Sequence, residues 1–456
     1  MTKLLVAGFV LVSACSAEVS APPATTAPTT ITSTTSPASA STSTSGPPAY
    51  GNLIKLDPFT LELMPGLEPI PVPYDSWNLL TSPDGSTVVN FEWDEEANNI
   101  THIRVIDVES WKETGTFELG PISGEVMGEG KLYAYRQHDG KLLAIDLDTG
   151  HASVLSDWSP KHWLGEGLVV LPEERIAGIA AEPVGAEVEL EHSVFVVDLR
   201  NETTTEHPMA LERVTRSTGI FDGAHEIPET DYPGVVWDDD RLLLAYMDGP
   251  EVVEVDLGTG AIQSHLIGLS SWWDRLWAYW VPPALAKGPS LGTYSSAALS
   301  PDGRHLFISG NEQTIEIAAD GTLDERSRHL GLVVVDTETW RPVGTPDLQV
   351  QYVFNAGVHV MGVNTTSFQP WTDDYYFLSI DETGTFQARG PLTVLSGHCE
   401  PATDGQHLLC SEQRSGLESR LVDIETLETL SRRAMFQEDT LLPNGVMVDR
   451  PPRSDP

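Results

Sequence analysis

Residues 297–309 read AALSPDGRHLFIS and residues 331–344 read GLVVVDTETWRPVG, with a polar excursion between them. The first half is two apolar runs joined at Ser300-Pro301-Asp302-Gly303, a turn tetrapeptide in which Pro presets φ and Gly tolerates a left-handed backbone. The second half is a third apolar run ending at Asp336, a turn, and the start of a fourth strand. Together they form one four-stranded antiparallel unit, and the rest of the chain is read outward from it.

Weaker copies recur. A strand-end Asp marks each one, because a carboxylate at the start of a tight turn accepts hydrogen bonds from backbone amides two residues on. The markers are Asp57, Asp107, Asp146, Asp198, Asp256, Asp336, Asp381 and Asp423, spaced 39 to 80 residues apart. Candidate hairpin turns precede seven of them, at Asp84-Gly85, Glu129-Gly130, Glu173-Glu174, Asp239-Asp240, Asp302-Gly303, Ala356-Gly357 and Asp404-Gly405. Asp57 has none before it. Its partner is expected in the C-terminal LLPNGVMVD, turning at Asn444-Gly445, so that one unit is built from both ends of the chain and the sheet edges close on each other.

The motifs that carry a family likeness are SPDG at Ser82 and Ser300, ATDG at Ala402 and VVDTETW at Val334. They resemble the WD40-like propeller repeats of the TolB type and the YVTN-type surface propellers of bacteria. The resemblance covers nearly all of residues 51–450 and implies an all-β fold, a single β-propeller. Counting markers favours eight blades, with the N- and C-terminal strands sharing one, or seven if a weak unit is an insertion. It says little about function, since propellers host binding, scaffolding and many chemistries. DLDTG at Asp146 and DLGTG at Asp256 also echo quinoprotein propellers, but Val154 and Ser264 stand where that family carries Trp. No quinone is therefore expected, nor any other cofactor.

The N-terminus reads as a targeting segment. Lys3 precedes an apolar core at residues 4–12, too short to span a membrane as a helix, and Val12-Ser13-Ala14-Cys15 supplies small residues for cleavage. This resembles a bacterial lipoprotein lipobox. The resemblance implies a signal peptide over residues 1–14, a diacylated Cys15 as the first mature residue, and a cell-membrane, extracytoplasmic address; the alternative is a plain secretory signal. Residues 16–48 are almost entirely Ser, Thr, Ala and Pro, a composition that cannot offset the entropy of ordering. The Ser/Thr/Pro/Ala-rich stretch 15–50 is a disordered tether, spanning on the order of 30 Å as a flexible coil. Residues 451–456 read as a disordered tail.

Charge limits the partners. The chain carries 67 acidic and 26 basic residues among 456, a formal net charge of −41. Nucleic acid is excluded, because its binding needs Lys and Arg to displace condensed counterions. Membrane contact is expected through the N-terminal lipid only. The acid excess reads as a solvated surface.

Cys399 and Cys410 flank CEPATDGQHLLC. A hairpin turning at Asp404-Gly405 brings them to facing positions, with Cα atoms about 4.5–5.5 Å apart. In an oxidising compartment they are expected to form a disulfide, with two buried thiols as the alternative.

The most unusual local feature is residues 270–290, SSWWDRLWAYWVPPALAKGPS, where four of twelve tryptophans fall within nine residues. On a short helix Trp273, Trp277 and Trp280 share one face with Leu276, while Trp272 lies off it. That face either packs on the propeller as a brace or, exposed, stacks on sugars or grips a partner. Trp272, Trp273, Trp277 and Trp280 are the candidate ligand-binding residues. Gly288-Pro289-Ser290-Leu291-Gly292 formally matches a nucleophile elbow, but that motif works only on a strand-to-helix turn of an α/β sheet. No metal signature is complete. The acidic runs at Asp238-Asp239-Asp240 and Asp94-Glu95-Glu96 read as solvated turn residues, and the histidines at 102, 138, 162, 192, 225, 305, 359 and 398 lack ligand spacing.

The leading functional expectation is non-catalytic recognition of an envelope protein, peptide or glycan. The alternatives are a cell-envelope hydrolase or lyase working at the central channel, and a structural component without a discrete ligand.

Overall fold

The computed structural model describes residues 50–449, apart from short segments of which the longest are 156–161, 210–215, 269–289 and 435–441. Among the described residues every regular element is a β-strand. β1 (Tyr50–Lys55) pairs with β2 (Ile70–Pro73); Tyr50, at the boundary read as tether, already faces Pro73. A seven-stranded meander follows: β3 (Ser76–Thr81), β4 (Thr87–Asp94), β5 (Asn99–Asp107), β6 (Lys112–Met127), β7 (Lys131–Arg136), β8 (Lys141–Asp146) and β9 (Ala152–Val154). The next sheet holds β10 (His162–Trp163), β11 (Val169–Leu171), β12 (Arg175–Val184), β13 (Glu189–Asp198) and β14 (Thr203–Met209), and a separate hairpin holds β15 (Arg216–Phe221) and β16 (His225–Glu229).

Four four-stranded meanders come next. They are β17 (Gly234–Asp238), β18 (Arg241–Tyr246), β19 (Glu251–Asp256) and β20 (Ile262–Leu266); β21 (Ser290–Leu299), β22 (His305–Ile317), β23 (Leu323–Asp336) and β24 (Arg341–Gly344); β25 (Tyr352–Ala356), β26 (His359–Phe368), β27 (Trp371–Ile380) and β28 (Phe386–Arg389); and β29 (His398–Pro401), β30 (His407–Glu412), β31 (Glu418–Asp423) and β32 (Thr429–Ala434). The last strand, β33 (Val446–Asp449), returns to β1 with Leu53 opposite Val448. Both ends of the chain therefore share one sheet.

The unit read at residues 297–344 is the meander β21–β24, with Ser300–Gly303 turning between its first two strands and Asp336 closing the third. Its middle strands carry uninterrupted apolar runs because both faces of the sheet are covered. Leu306, Ile308, Val333 and Val335 pack toward β18 and β19, whereas Phe307, Leu332 and Val334 pack toward β25–β27. Such two-sided burial, rather than period-2 alternation, is the pattern of strands sandwiched between other sheets.

The same arrangement repeats around the molecule. Apolar clusters join β33–β1–β2 to β3–β5, the first half of the meander to its second, that half to β12–β13, and β12–β13 to β18–β19. After the two clusters flanking β22–β23, another joins β26–β27 to β29–β31. A final one joins Leu421 of β31 to Ile54, Leu56 and Leu61 beside β1, so the series closes on itself. First strands of successive sheets touch, β17 with β21, β21 with β25 and β25 with β29, while β6 touches both β3 and β11. First strands thus form an inner ring and fourth strands the rim. The chain is a β-propeller, held by side chains between its sheets and by β33–β1 pairing at the joint.

Each marker carboxylate organises its turn. Asp336 Oδ1 accepts both the amide and the hydroxyl of Thr339 at 2.7 Å, and Asp146, Asp256 and Asp423 hold Thr149, Thr259 and Thr426 alike. Asp57, Asp107, Asp198 and Asp381 accept backbone amides two to four residues on. The residue after the marker then donates its amide to the first hairpin turn of the same unit, as in Val108 to Ser86, Leu147 to Gly130, Leu199 to Glu174, Leu257 to Asp240, Thr337 to Arg304 and Ile424 to Gln406. Both turns therefore lie on one face of the ring.

The residue four past the marker locks neighbouring sheets together. It returns its amide to the marker carbonyl and takes a left-handed backbone, as at Trp340 (φ 56°) and Leu427 (φ 59°), which costs a non-glycine residue about 1–2 kcal/mol. Packing offsets that cost. Leu61 and Trp111 are buried in inter-sheet clusters, and Trp111 Nε1 donates to the Glu68 carbonyl just before β2 at 2.7 Å. Where the same position is glycine, a ring from the rim strand of the preceding sheet fills the space. A Cβ added at Gly150 would lie 2.1 Å from Phe117 Cδ1, and one at Gly260 would lie 2.1 Å from His207 Nδ1.

Candidate binding face

The two faces of the ring differ. On the marker face the marker carboxylates are consumed by turns: hydrogen bonds from turn side chains and amides hold these aspartates below the usual carboxylate range, Asp381 at about 2. Asp84, in the first SPDG turn, is held at about 2 by Ser82 and Ser86. Asp238 pairs with Arg241 at 2.7 Å, and Asp240 pairs with Arg175 at 2.8 Å while staying exposed to solvent; Asp239 lies outside the described residues. Among the described residues no group of three or more His, Cys, Asp or Glu is placed to hold a metal ion.

The opposite face is where second strands turn into third strands and where fourth strands cross to the next sheet. β22 and β23 run on together as far as Ile317 and Leu323, and β21 accompanies them to Ser290 opposite Thr314. β12–β13 and β26–β27 are also long, with paired ends at Val184–Glu189 and Phe368–Trp371. Ser290 thus opens an antiparallel strand, so the formal elbow motif lacks the strand-to-helix turn that its chemistry requires.

Polar groups accumulate toward this face. Glu312 is buried yet paired to the exposed Arg328 at 2.6 Å, and Asn311 Oδ1 meets His329 Nδ1 at 2.7 Å. Between β27 and β29 the buried Tyr375 hydroxyl accepts the Cys399 amide (2.6 Å) and stands 2.9 Å from the Gly397 carbonyl and 3.3 Å from Asp373 Oδ2. Burial pushes the Tyr375 hydroxyl pKa far up, so it stays protonated and acts as a donor. Asp373 is itself buried, and its Oδ1 meets no donor.

A second carboxyl stands on the inner ring. β6 and β7 pair Ser123 with Tyr135 and then Val126 with Tyr133, so Gly124 and Glu125 together oppose Ala134. This is a β-bulge, with Gly124 at φ 65°, and bulges re-aim the side chain they carry. Glu125 Oε1 is out of solvent and has no hydrogen-bond partner, and burial raises the carboxyl above its ordinary range. Arg136, in register two strand positions away, is held by Asp139 at 2.6 and 2.9 Å and is not free to neutralise it.

Of the residues singled out in the sequence, the structure joins Cys399 and Cys410 in a disulfide. They are directly opposite on β29 and β30, buried, with Cα atoms 3.9 Å apart, closer than the roughly 4.5–5.5 Å expected. Trp272, Trp273, Trp277 and Trp280 lie outside the described residues, as do Cys15, the tether up to residue 49 and the tail. The strands flanking the tryptophan segment, β20 and β21, end and begin on the long-hairpin face. Glu125, Asp373 and Tyr375 carried no motif; the Gly124 interruption of an apolar strand was the one available sign of a bulge.

No protein-family model and no curated protein matches the chain. Solved structures do. The dihydro-heme d1 dehydrogenase NirN in complex with DHE is 16% identical, covering 85% of this chain and 73% of its own, with a TM-score of 0.41. An oligogalacturonate lyase in complex with manganese is 11% identical over 83% and 90%, at 0.40, and the WD40 domain of SCAP from fission yeast is 8% identical over 82% and 95%, at 0.41. At such overlaps the fold follows from the chain's own strand order and circular packing. The matches include enzymes and a WD40 domain alike.

Proposed function

We propose that the chain is an extracytoplasmic, lipid-anchored, eight-bladed propeller that binds an envelope protein, peptide or glycan without catalysis, through its long-hairpin face. The count is supported by eight marker aspartates, seven at the end of a third strand and Asp57 just past β1 at the joint, and by eight inter-sheet clusters among the described residues. The seven-stranded meander contributes two blades through the shared β6. Anchorage at Cys15 rests on the lipobox resemblance, with the tether leading into β1.

The observation that carries the binding reading is the asymmetry of the faces. The marker aspartates are occupied by their own turns, whereas the other face presents raised hairpins, and β20 and β21, the strands that flank the segment holding Trp272, Trp273, Trp277 and Trp280, end and begin there. Exposed aromatic rings beside a rigid scaffold suit sugars and peptides. The test is a glycan and peptide array probed with the chain lacking residues 1–15 and with a variant carrying Trp→Ala at all four positions. Retention of specific ligands by the first and loss by the second is expected. Equal retention would overturn the role of the tryptophans, and absence of any specific ligand would overturn the binding reading. Failure of Cys15→Ala to abolish labelling by palmitate would overturn the anchor.

A second reading, an envelope hydrolase or lyase, is favoured by one observation: Glu125 and Asp373 each present a carboxyl oxygen without a partner. Turnover of pectic or peptide substrates that is lost in both Glu125→Gln and Asp373→Asn would establish it.

A further inference from the structure

We propose that Glu125 is the receptor for a cationic side chain, an ammonium or guanidinium group presented by a peptide ligand at the inner ring of the propeller. The inference rests on the binding reading above and gives that ligand a charge.

Three observations carry it. First, the position is built. Two residues, Gly124 and Glu125, oppose the single Ala134, and the left-handed Gly124 makes that bulge possible. A strand that merely closed the ring would have no use for the extra residue. Second, the strand reaches the inner ring: β6 touches β3 and β11, and the half of it that pairs with β7 is the first strand of its blade. Third, among the described residues no cation answers the carboxylate, whose own backbone amide is the one group that hydrogen-bonds it. Its Oε1 has no donor, and Arg136 on the adjacent strand is committed to Asp139 through both carboxyl oxygens. The other titratable groups that β7 sets beside it, Tyr133 and Tyr135, are hydroxyls held protonated by burial, and neither can supply a positive charge.

A partly buried carboxylate without a counter-charge is costly, and such groups either take up a proton or await a partner. The upward displacement of the Glu125 carboxyl is caused by burial, which outweighs the hydrogen bond from its own backbone amide, with no cation opposing it. Binding a cation must then favour the ionised form and expel the proton. In a chain of net charge −41 a cationic ligand is also drawn toward the ring from a distance, so steering and final contact have the same sign.

The experiment is isothermal titration calorimetry of the chain at 150 mM NaCl. The probes are hexalysine, its fully Nε-acetylated counterpart and calcium chloride. The proteins are wild type, Glu125→Gln and, as a control for general charge, Glu129→Gln on the exposed turn. Hexalysine is expected to bind wild type and Glu129→Gln alike, to bind Glu125→Gln at least about tenfold more weakly, and to be preferred over the acetylated peptide. At pH 5.5 its binding heat is expected to vary with the ionisation enthalpy of the buffer in wild type, reporting proton release, and to lose that dependence in Glu125→Gln. Equal affinity for wild type and Glu125→Gln would overturn the proposal. So would binding of the acetylated peptide in preference to hexalysine, which would leave the broader binding reading intact. Saturable calcium binding lost in Glu125→Gln, without hexalysine binding, would reassign the site to a metal and overturn the proposal. Glu125→Gln preserves shape, and an unchanged far-ultraviolet spectrum separates lost affinity from lost folding.

Discussion

The imidazole of His265 lies flat on the indole of Trp340, ring centroids 4.0 Å apart and planes within 10° of parallel. His265 belongs to the rim strand of one blade and Trp340 to the marker turn of the next. Glu254 holds the imidazole from behind at 3.0 Å, and Arg241 carries the network on to Asp238. The contact repeats in altered form around the ring, with Phe117 over Gly150, His207 over Gly260 and the Trp111 indole on the Glu68 carbonyl. Either the turn supplies the bulky group, or it supplies a glycine and the neighbouring rim supplies a ring.

Replacing Trp340 tests this directly. Trp340→Ala removes the stack but leaves a side chain in the left-handed region, and a loss of about 2 kcal/mol is expected. Trp340→Gly removes the same contact while relieving the backbone, and is expected to be about 1 kcal/mol less destabilising than the alanine variant. Chemical-denaturation midpoints decide it. A glycine variant less stable than the alanine variant would contradict the left-handed assignment.

The converse exchange is at Gly150. Gly150→Leu drives a side chain into Phe117 and is expected to cost about 3 kcal/mol, combining overpacking with backbone strain. Adding Phe117→Ala empties the same space. The double variant is expected to be more stable than the sum of the single effects by about 1 kcal/mol or more. Strict additivity in a double-mutant cycle would show that the two positions do not share one volume.

Acid should unfold the protein through its marker turns. The folded-state pKa values of these aspartates are depressed, so their contribution is fully present above the unfolded value of about 3.9 and is lost as pH falls through the folded values, about 2 for Asp84 and Asp381. The melting temperature is expected to drop steeply between about pH 4 and pH 2. Asp381→Asn should lower the melting temperature at pH 7 and flatten this drop. A parallel pair of pH profiles would remove the turns as the cause.

Glu125 has the opposite sign. Its folded-state pKa is raised, so the protonated carboxyl is tolerated below the unfolded value of about 4.3, and stability is lost as pH rises through the folded value. Glu125→Gln is therefore expected to raise the melting temperature at pH 7 and to change it little at pH 4. A destabilised variant at pH 7 would mean that the ionised carboxylate has a partner.

The disulfide closes a short loop, with Cys399 and Cys410 separated by 11 in sequence. Chain-entropy arguments give about 3 kcal/mol for a loop of this size. Both sulfurs are buried, so reduction without unfolding is expected to be slow, and reducing the unfolded chain before alkylation should add two alkyl groups relative to the unreduced chain. A Cys399→Ala, Cys410→Ala variant melting at the wild-type temperature would show that the bridge is dispensable.

Much of this fold was legible in the chain because its signals are local. An Asp followed by Thr at the third position specifies its own turn through hydrogen bonds spanning three residues, and Ser-Pro-Asp-Gly does the same for the hairpin, so the markers and most turns could be read without any long-range knowledge. Runs such as LVVV and LLLA announced strands covered on both faces. Pairing of β33 with β1 could be anticipated because one marker lacked a partner. The interlocking of blades was not legible, since whether position 340 or position 150 carries the bulk depends on a rim strand tens of residues earlier. The aim of Glu125 was hidden for the same reason: one residue too many in a strand becomes a bulge only against the particular register of β7. Local hydrogen bonding decided the repeat, and the packing of sheets distant in sequence decided which polar groups were left without partners.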